Sequence, residues 1–281
     1  MASALLPLGL AFLMCVVGLR LTPDGLMAAF RRPRALLAGL GVQVLGLPIL
    51  ALGLASLLEL PPAVRTGLMI VAAAPGGITS NYAALLAGAD VALSTAMTLV
   101  TNLIACLTIP LILAGAGIAL PGAAALLPLL KLSLVMAAVT AVPLALGLAV
   151  NRLAPTVVAR FSRALDIASR LVFAAIVFAT FVQNWGAMKD QAAAAGLAVV
   201  LLNLCGIGLA FLAAALLRLP RPQGFAIAIE TGLQNVALAI FVASTLMGNA
   251  ALALVGLVYA VVMNVTALGL IAASRKAAPP V

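Results

Sequence analysis

The sequence predicts an all-α polytopic membrane protein with nine transmembrane helices. Three observations lead to this prediction: the composition, the lengths of the apolar stretches and the distribution of basic residues. Of 281 residues, 66% are hydrophobic and 7% are charged, and the mean hydropathy is +1.32. Soluble domains carry about 25% charged residues. This chain has too few polar side chains to cover a water-facing surface, so most of its surface must face lipid.

Apolar stretches of about 17 to 25 residues, bounded by charges, Pro or Gly, are typical of membrane spans. The first stretch could instead be a signal peptide, but it lacks a basic leading region and a clear cleavage site. We interpret residues 1–281 as one transmembrane domain with a short tail at 274–281. The nine predicted spans cover roughly 3–21, 35–58, 62–87, 90–116, 125–151, 165–186, 192–217, 222–246 and 249–273.

Basic residues give the spans an orientation, because Lys and Arg in short loops stay on the cytoplasmic side. This bias predicts an external N-terminus and a cytoplasmic C-terminus. The net charge of +9 then indicates contact with anionic lipid rather than with nucleic acid. Richness in Ala, Gly and Leu, with Arg preferred over Lys, favours the inner membrane of a bacterium. Twelve of the 15 basic residues lie in odd-numbered loops or the tail: Arg20, Arg31, Arg32, Arg34, Arg152, Arg160, Arg163, Arg170, Arg218, Arg221, Arg275 and Lys276.

Two stretches of the chain, 65–100 and 224–261, share one pattern. Each contains an apolar helix, a Gly-bearing polar break that ends in Asn, a short apolar helix, a Gly turn and a further helix. The charge bias makes the two copies enter the membrane from opposite sides. We therefore predict an inverted repeat of four spans (about 1–116) and five spans (about 125–273). Such repeats, centred on broken helices, are typical of secondary transporters.

The breaks carry the candidate chemistry. In "APGGITSN" Pro75 donates no backbone hydrogen bond, and Gly76 and Gly77 tolerate non-helical dihedrals. The second break, "ETGLQN", contains the carboxylate of Glu230. Irregular backbone at membrane depth must line protein or water, so we expect the two breaks to cross near the midplane.

Span four adds hydroxyl groups to this region. Ser94 and Thr98 are four residues apart and share one helical face, which Thr101 continues. In isolation, hydroxyls of this kind more often bond to carbonyls of their own helix. Gln43 in span two and Asn203 in span seven occupy corresponding positions in the two copies. Tyr259 and Trp185 are interpreted as anchors at the membrane interface.

This inventory of groups favours sodium. The chain has no His, and its three Cys are widely spaced, so zinc, haem and His-dependent catalysis are poorly supplied. One carboxylate with many neutral oxygens suits sodium better than a transition metal or calcium. A charge at the membrane centre costs about 2.5 to 3.5 kcal/mol, so Glu230 would take up a proton unless a cation neutralises it.

"APGGITSN" followed by "GADVALSTAMT", together with "ETGLQN", resembles the two signature stretches of the bile acid:sodium symporter family. The register holds from "VVGLRLTPDGLMAAFRRPRAL" onward. The resemblance implies a panel domain and a core domain that holds the crossed helices, in a nine-span form without the usual first helix. It also implies two coupling sodium ions and no organic cofactor.

Positions carried over from the family form three sets. This chain departs from other family members at two positions near the expected substrate site: it has Ile78 where a hydroxyl is common and Met263 where some members have His. The resemblance therefore does not decide between a bile-acid-like substrate and a small carboxylate. The first sodium site would use Ser80, Asn81, Ser94, Thr98 and Glu230. The second would use Gln43, Glu230, Thr231, Leu233 and Gln234, and the substrate would meet Gly77, Ile78, Asn235 and Asn264.

We expect a monomeric sodium-coupled symporter that imports a small organic anion by alternating access. The alternatives are a proton-coupled carrier in which Glu230 titrates and an arsenite-type carrier of a related inverted-repeat fold. A channel or a sensor is also possible. An intramembrane enzyme is disfavoured, because no nucleophile–base pair is evident in the spans.

Overall fold

The computed structural model describes residues 2–21, 27, 31, 33–118 and 126–276. Regular structure in these residues is helical, apart from one isolated antiparallel bridge between Gly76 and Gln234. The helices are α1 Ala2–Arg20, α2 Pro33–Leu57, α3 Pro62–Ala73, α4 Ile78–Leu86, α5 Val91–Gly115, α6 Leu126–Val139, α7 Ala141–Leu153, α8 Pro155–Leu216, α9 Arg221–Gly232, α10 Val236–Leu246 and α11 Ala253–Lys276.

Local irregularities occur at three places in the described helices, one of which is a π-helical segment of α10, Val242–Leu246. α2 passes through a π-helical segment, Val42–Gly46, which contains Gln43. Predicted span five is divided at Thr140 into α6 and α7. Pro143 lies one turn further on and has no N–H to offer the preceding turn, which favours the bend.

The largest departure from the prediction concerns spans six and seven. They were expected to be separate, at 165–186 and 192–217, but the structure has one continuous helix of 62 residues, α8. The intervening sequence, "GAMKDQAAAAG", is rich in Ala and contains no Pro, so its intrinsic preference is helical. A polar gap between apolar stretches was therefore wrongly interpreted as a non-helical break.

The two arms of α8, residues 155–186 and 192–216, have different neighbours. In the first arm, Val172 and Ile176 face Gly9 of α1. In the second arm, Leu209 faces Gly46 of α2, and Ile207 faces Gly232 of α9. The first arm therefore packs against α1, and the second arm packs against α2 and α9.

Several helices are suited to crossing a bilayer. Among the described residues, five helical stretches are long and apolar enough to span one, and three shorter apolar helices accompany them. The protein is thus a multi-pass membrane protein, whereas the count of nine spans stays a prediction. The five stretches are Pro33–Leu57, Val91–Gly115, Leu130–Leu153, Ala195–Leu216 and Ala253–Arg275.

Helix α1 is locked to α7 by two glycines. A Cβ on Gly18 would overlap the Leu144 carbonyl, and a Cβ on Gly147 would overlap the Cys15 carbonyl. Each glycine thus admits the backbone of the other helix. We call α1, α6, α7 and the first arm of α8 the panel group, because they pack on one another. The remaining helices, which include both breaks, are the core group.

The interrupted helices α3–α4 and α9–α10 begin and end alike. Each is preceded by a non-glycine residue in the left-handed region, with φ values of 49° and 52°, and then by a proline at the N-cap. Each is followed by a glycine turn with φ of 64° or 63°. These local features match the repeated sequence pattern. The matched positions are Glu59 with Arg218, Pro61 with Pro220, and Gly88 with Gly248.

Candidate ion and substrate site at the helix crossover

The first break lies between α3 and α4. Pro75 cannot donate a backbone hydrogen bond, and the chain is extended at Ala74 (ψ 149°) and at Gly77 (ψ 164°). Helical geometry resumes at Ile78. The break falls where "APGG" predicted it.

The second break lies between α9 and α10. Leu233 leaves the helix with ψ of 92°, and Asn235 restarts it as the N-cap of α10. The Asn235 side-chain oxygen accepts a hydrogen bond from the Leu238 N–H at 3.1 Å. Asn is a preferred residue at this position because its oxygen satisfies an N–H that has no intrahelical partner.

The two breaks cross each other in antiparallel fashion. The Gly77 N–H donates to the Leu233 carbonyl at 2.8 Å, and the Asn235 N–H donates to the Pro75 carbonyl at 2.8 Å. Backbone groups freed by the two interruptions therefore satisfy one another, as buried backbone requires. The predicted meeting of the broken helices is confirmed, whereas its depth in the membrane stays a prediction.

Glu230 lies at this crossing and is fully buried. Its carboxylate faces Gly76, and a Cβ on Gly76 would overlap Glu230 Oε1. Gly76 therefore has a second role besides opening the helix, because it leaves the space that the carboxylate occupies.

Two hydroxyl groups of α5 hold the Glu230 carboxylate. Ser94 Oγ donates to Glu230 Oε2 at 2.8 Å, and Thr98 Oγ1 donates to Glu230 Oε1 at 2.6 Å. The same hydroxyls approach Asn81 Oδ1 to 2.9 and 3.4 Å. Ser80 Oγ lies 3.5 Å from Thr98 Oγ1 and donates to the Gly77 carbonyl at 2.7 Å. All five residues assigned to the first sodium site are thus adjacent.

The three oxygens of Glu230 and Asn81 outnumber the two hydroxyl protons that Ser94 and Thr98 can donate to them. Ser80 gives its proton to a carbonyl, so two hydroxyl protons remain for the carboxylate and the Asn81 oxygen. In the part of the chain that the structure describes, the salt bridge joins Arg20 to Asp166, and none reaches Glu230. A buried set of oxygens with one negative charge and surplus lone pairs suits a hard cation.

A second set of polar groups lies on the other side of the crossing. Gln43 Nε2 donates to the Ala74 carbonyl at 2.9 Å and to Gln234 Oε1 at 2.8 Å. Gln234 Nε2 donates to the Thr231 carbonyl at 2.6 Å. The Gln43 Oε1 and Thr231 Oγ1 atoms are buried and have no hydrogen-bond partner. Two such oxygens next to Leu233 fit the residues assigned to the second sodium site, since an unsatisfied buried acceptor is costly.

Sequence reasoning missed Asn102. It is fully buried on α5, and its Nδ2 donates to the Thr98 carbonyl at 2.8 Å and the Gly76 carbonyl at 3.2 Å. Its Oδ1 accepts from Asn235 Nδ2 at 3.3 Å. Asn102 therefore links α5 to both breaks. The spacing of residues 94, 98 and 102 on one helical face was a signal that could have identified it.

The interpretation of Tyr259 as an interface anchor is wrong. Tyr259 is fully buried, and its hydroxyl donates to the Gly232 carbonyl at 3.1 Å. Asn203 Nδ2 donates to the same carbonyl at 2.8 Å and lies 3.0 Å from the Tyr259 hydroxyl. Asn203 thus contacts the end of α9 as Gln43 contacts the end of α3. The Trp185 side chain lies outside the described residues.

A cavity of about 470 Å³ lies between the panel and core groups. Gly77, Asn235 and Asn264, three of the four predicted substrate residues, line it. The side chain of the fourth, Ile78, lies outside the described residues. Asn264 Nδ2 donates to the Ala260 carbonyl at 2.6 Å, and Met263 belongs to the same wall. The crossing of the two breaks therefore has buried oxygens suited to a cation in its interior and a cavity at its surface.

The sequence profile of the sodium bile acid symporter family matches residues 7–191 of this chain. The chain belongs to this family. The family consists of transporters, so the protein is a membrane transporter and not an enzyme.

Individual relatives agree with this family membership. The chain is 33% identical over 235 residues to the "uncharacterized sodium-dependent transporter YocS" of Bacillus subtilis, covering 83% of this chain and 71% of that protein. It is 29% identical to the "probable sodium/metabolite cotransporter BASS1, chloroplastic" of Arabidopsis thaliana, covering 86% of this chain and 59% of that protein. It is 32% identical to the corresponding BASS6 protein of the same plant, covering 84% and 59%. The chain thus spans under two thirds of the length of these plant relatives.

Proposed function

We propose that the protein is a sodium-coupled symporter that imports an organic anion by alternating access. The observation that carries the proposal is the oxygen-rich cluster around Glu230, in which Ser94 and Thr98 hold a buried carboxylate. Relatives named sodium-dependent transporters and sodium/metabolite cotransporters support the same ion.

The proposal assigns two sodium ions to the crossing. The first binds among Ser80, Asn81, Ser94, Thr98 and Glu230, where it neutralises the carboxylate. The second binds where Gln43 Oε1 and Thr231 Oγ1 have no partner. Each ion that moves inward gains about 2.3 kcal/mol per 100 mV of membrane potential. Two ions with one monovalent anion therefore give a net inward electrical drive.

The organic anion binds in the cavity, next to Gly77, Asn235 and Asn264. The starts of α4 and α10 meet there, and their positive dipole ends favour negative charge. Since the cavity is lined by both the panel and the core groups, relative movement of the groups would open it alternately to either side. Arg20 and Arg170 are among the residues that line it. If the basic side is cytoplasmic, this structure faces inward.

The same proposal includes the inverted four-plus-five repeat, the inner membrane of a bacterium and the N-out, C-in orientation. The excess of basic residues in the predicted odd-numbered loops and the tail supports this orientation, although Arg160, Arg163 and Arg170 lie within α8 in the structure. The matched turns of the two interrupted helices, from Glu59 and Arg218 to Gly88 and Gly248, support the repeat.

The decisive experiment measures sodium binding to purified protein. Thermal stability is recorded in sodium chloride and, at equal ionic strength, in choline chloride, together with binding of radioactive sodium. A ligand that binds only the folded state raises the unfolding temperature by mass action. We expect sodium to stabilise the wild type and to have little effect on Glu230→Gln. The matched control is Glu59→Gln, an exposed carboxylate outside the crossing, which should keep the full sodium response.

Equal stability of the wild type in sodium and choline would contradict the proposal. The proton-coupled alternative predicts that result, together with uptake by reconstituted protein that is driven by acid pH without sodium. The arsenite-type alternative predicts stabilisation by arsenite rather than by organic anions.

A further inference from the structure

The charged side chains that line the cavity carry a net positive charge. Three charged side chains line it: Arg20, Asp166 and Arg170. Asp166 forms a salt bridge with Arg20. Within the described residues, Arg170 forms no salt bridge, so one positive charge of the cavity is left without a carboxylate.

Arg170 is held above an aromatic ring. Its guanidinium carbon lies 5.8 Å from the centre of the Tyr82 ring, on the opposite wall of the cavity. A cation–π contact of this kind orients the guanidinium group but leaves its N–H donors available. Arg170 and Tyr82 are both exposed to the cavity and are thus accessible to a ligand.

The distance between Arg170 and the crossing restricts the ligand. Tyr82 is four residues beyond the start of α4 at Ile78, which corresponds to about 6 Å of helix rise. The 5.8 Å between the Tyr82 ring centre and the Arg170 guanidinium carbon adds to this rise. The guanidinium group therefore lies on the order of 10 Å from the start of α4. The lining of the cavity includes apolar side chains, among them Phe173, Ala83 and Ala267.

We propose that Arg170 binds a second anionic group of the substrate. The preferred substrate is then a dianion whose charges are separated by an apolar body: one charge at the helix starts beside Gly77 and Asn235, the other on Arg170. Arginine suits this role because its planar fork donates two parallel hydrogen bonds to a carboxylate. This inference deepens the proposed function and rests on it.

The test uses α,ω-dicarboxylates from succinate to sebacate and the monocarboxylates of equal chain length. Each is added to purified protein in saturating sodium, and its affinity is read from the thermal shift or by calorimetry. In the wild type, we expect dicarboxylates of medium length to bind at least about tenfold more tightly than the matched monocarboxylates, since hydrogen bonds between charged groups are strong.

Two variants separate a ligand contact from a structural effect. Arg170→Gln should remove the advantage of the dicarboxylates and leave the monocarboxylate affinities within about twofold. The matched control is Arg163→Gln, an exposed residue of the same helix that does not line the cavity, which should retain the full preference. Sodium-dependent stabilisation should be normal in both variants.

The inference is overturned if Arg170→Gln weakens mono- and dicarboxylates equally, if the wild type prefers no dicarboxylate, or if no member of the series binds. A normal sodium response in any of these cases would leave the proposed function intact. Loss of the sodium response in the wild type would instead contradict the proposed function itself.

Discussion

The two interrupted helices are flanked by the same kinds of turn, but their breaks contribute different groups to the site. The first, at residues 74–77, contains no charge, and its Gly76 leaves an open space. The second follows Glu230, whose carboxylate occupies that space. The two breaks are therefore not equivalent despite their similar sequences. The first provides the space beside Gly76, and the second provides the carboxylate of Glu230 that occupies it.

The amides that contact the two breaks differ in a related way. Gln43 donates to the end of α3 and retains a buried oxygen without a partner. Asn203 donates to the end of α9 and shares that carbonyl with Tyr259. We therefore expect the Gln43 amide to affect ion binding and the Asn203 amide to affect mainly the stability of the fold.

Gly76→Ala should have the largest effect. Its Cβ would overlap the Glu230 carboxylate, which would have to leave Ser94 and Thr98. We expect sodium-dependent thermal stabilisation to disappear, as in Glu230→Gln, while the protein still folds. Gly53→Ala, at a helical glycine with open space around its Cβ position, is the control and should behave as the wild type. A normal sodium response in Gly76→Ala would show that the carboxylate does not need this position.

Thr98→Val should weaken sodium binding by about tenfold or more, because hydrogen bonds to charged groups contribute roughly 1.5 to 3 kcal/mol. Thr101→Val is the matched control, since the Thr101 hydroxyl bonds to carbonyls of its own helix. Titration of sodium against the unfolding temperature measures both. If the two variants shift the sodium affinity equally, the hydroxyls have only a packing role.

Thr231→Val should alter the number of ions rather than the fold. Removing a buried hydroxyl that has no partner costs little stability or gives a small increase. We expect the sodium dependence of stabilisation to become less steep, with a Hill coefficient that falls towards one. An unchanged steepness would argue against a second ion at this position.

Tyr259→Phe should have the smallest effect on sodium binding. The variant loses two buried hydrogen bonds, one donated to the Gly232 carbonyl and one accepted from Asn203, each of which contributes about 1 kcal/mol to the free energy of unfolding. A lower unfolding temperature with an unchanged sodium affinity is the expected result. A large loss of sodium affinity would mean that the second break also requires its buried support for ion binding.

The sequence predicted the elements that depend on local chemistry. Pro75 followed directly by Gly76 and Gly77 favours a helix interruption, and the spacing of Ser94 and Thr98 places them on one face. The role of Gly76 as space for Glu230 could not be predicted, because it depends on which residue approaches from a distant part of the chain. The continuity of α8, by contrast, could have been predicted from local sequence. The polar residues of "GAMKDQAAAAG" were given more weight than the helix propensity of its alanines.

The backbone bridge between the breaks has a consequence for energy coupling. Gly77 and Asn235 line the cavity, and their N–H groups also hold the peptide units beside the carboxylate. If the proposed function is correct, substrate and ion would act on the same few peptide groups, and no intermediate relay would be needed between the two binding events. By thermodynamic reciprocity, the factor by which sodium raises the affinity for the substrate equals the factor by which the substrate raises the affinity for sodium.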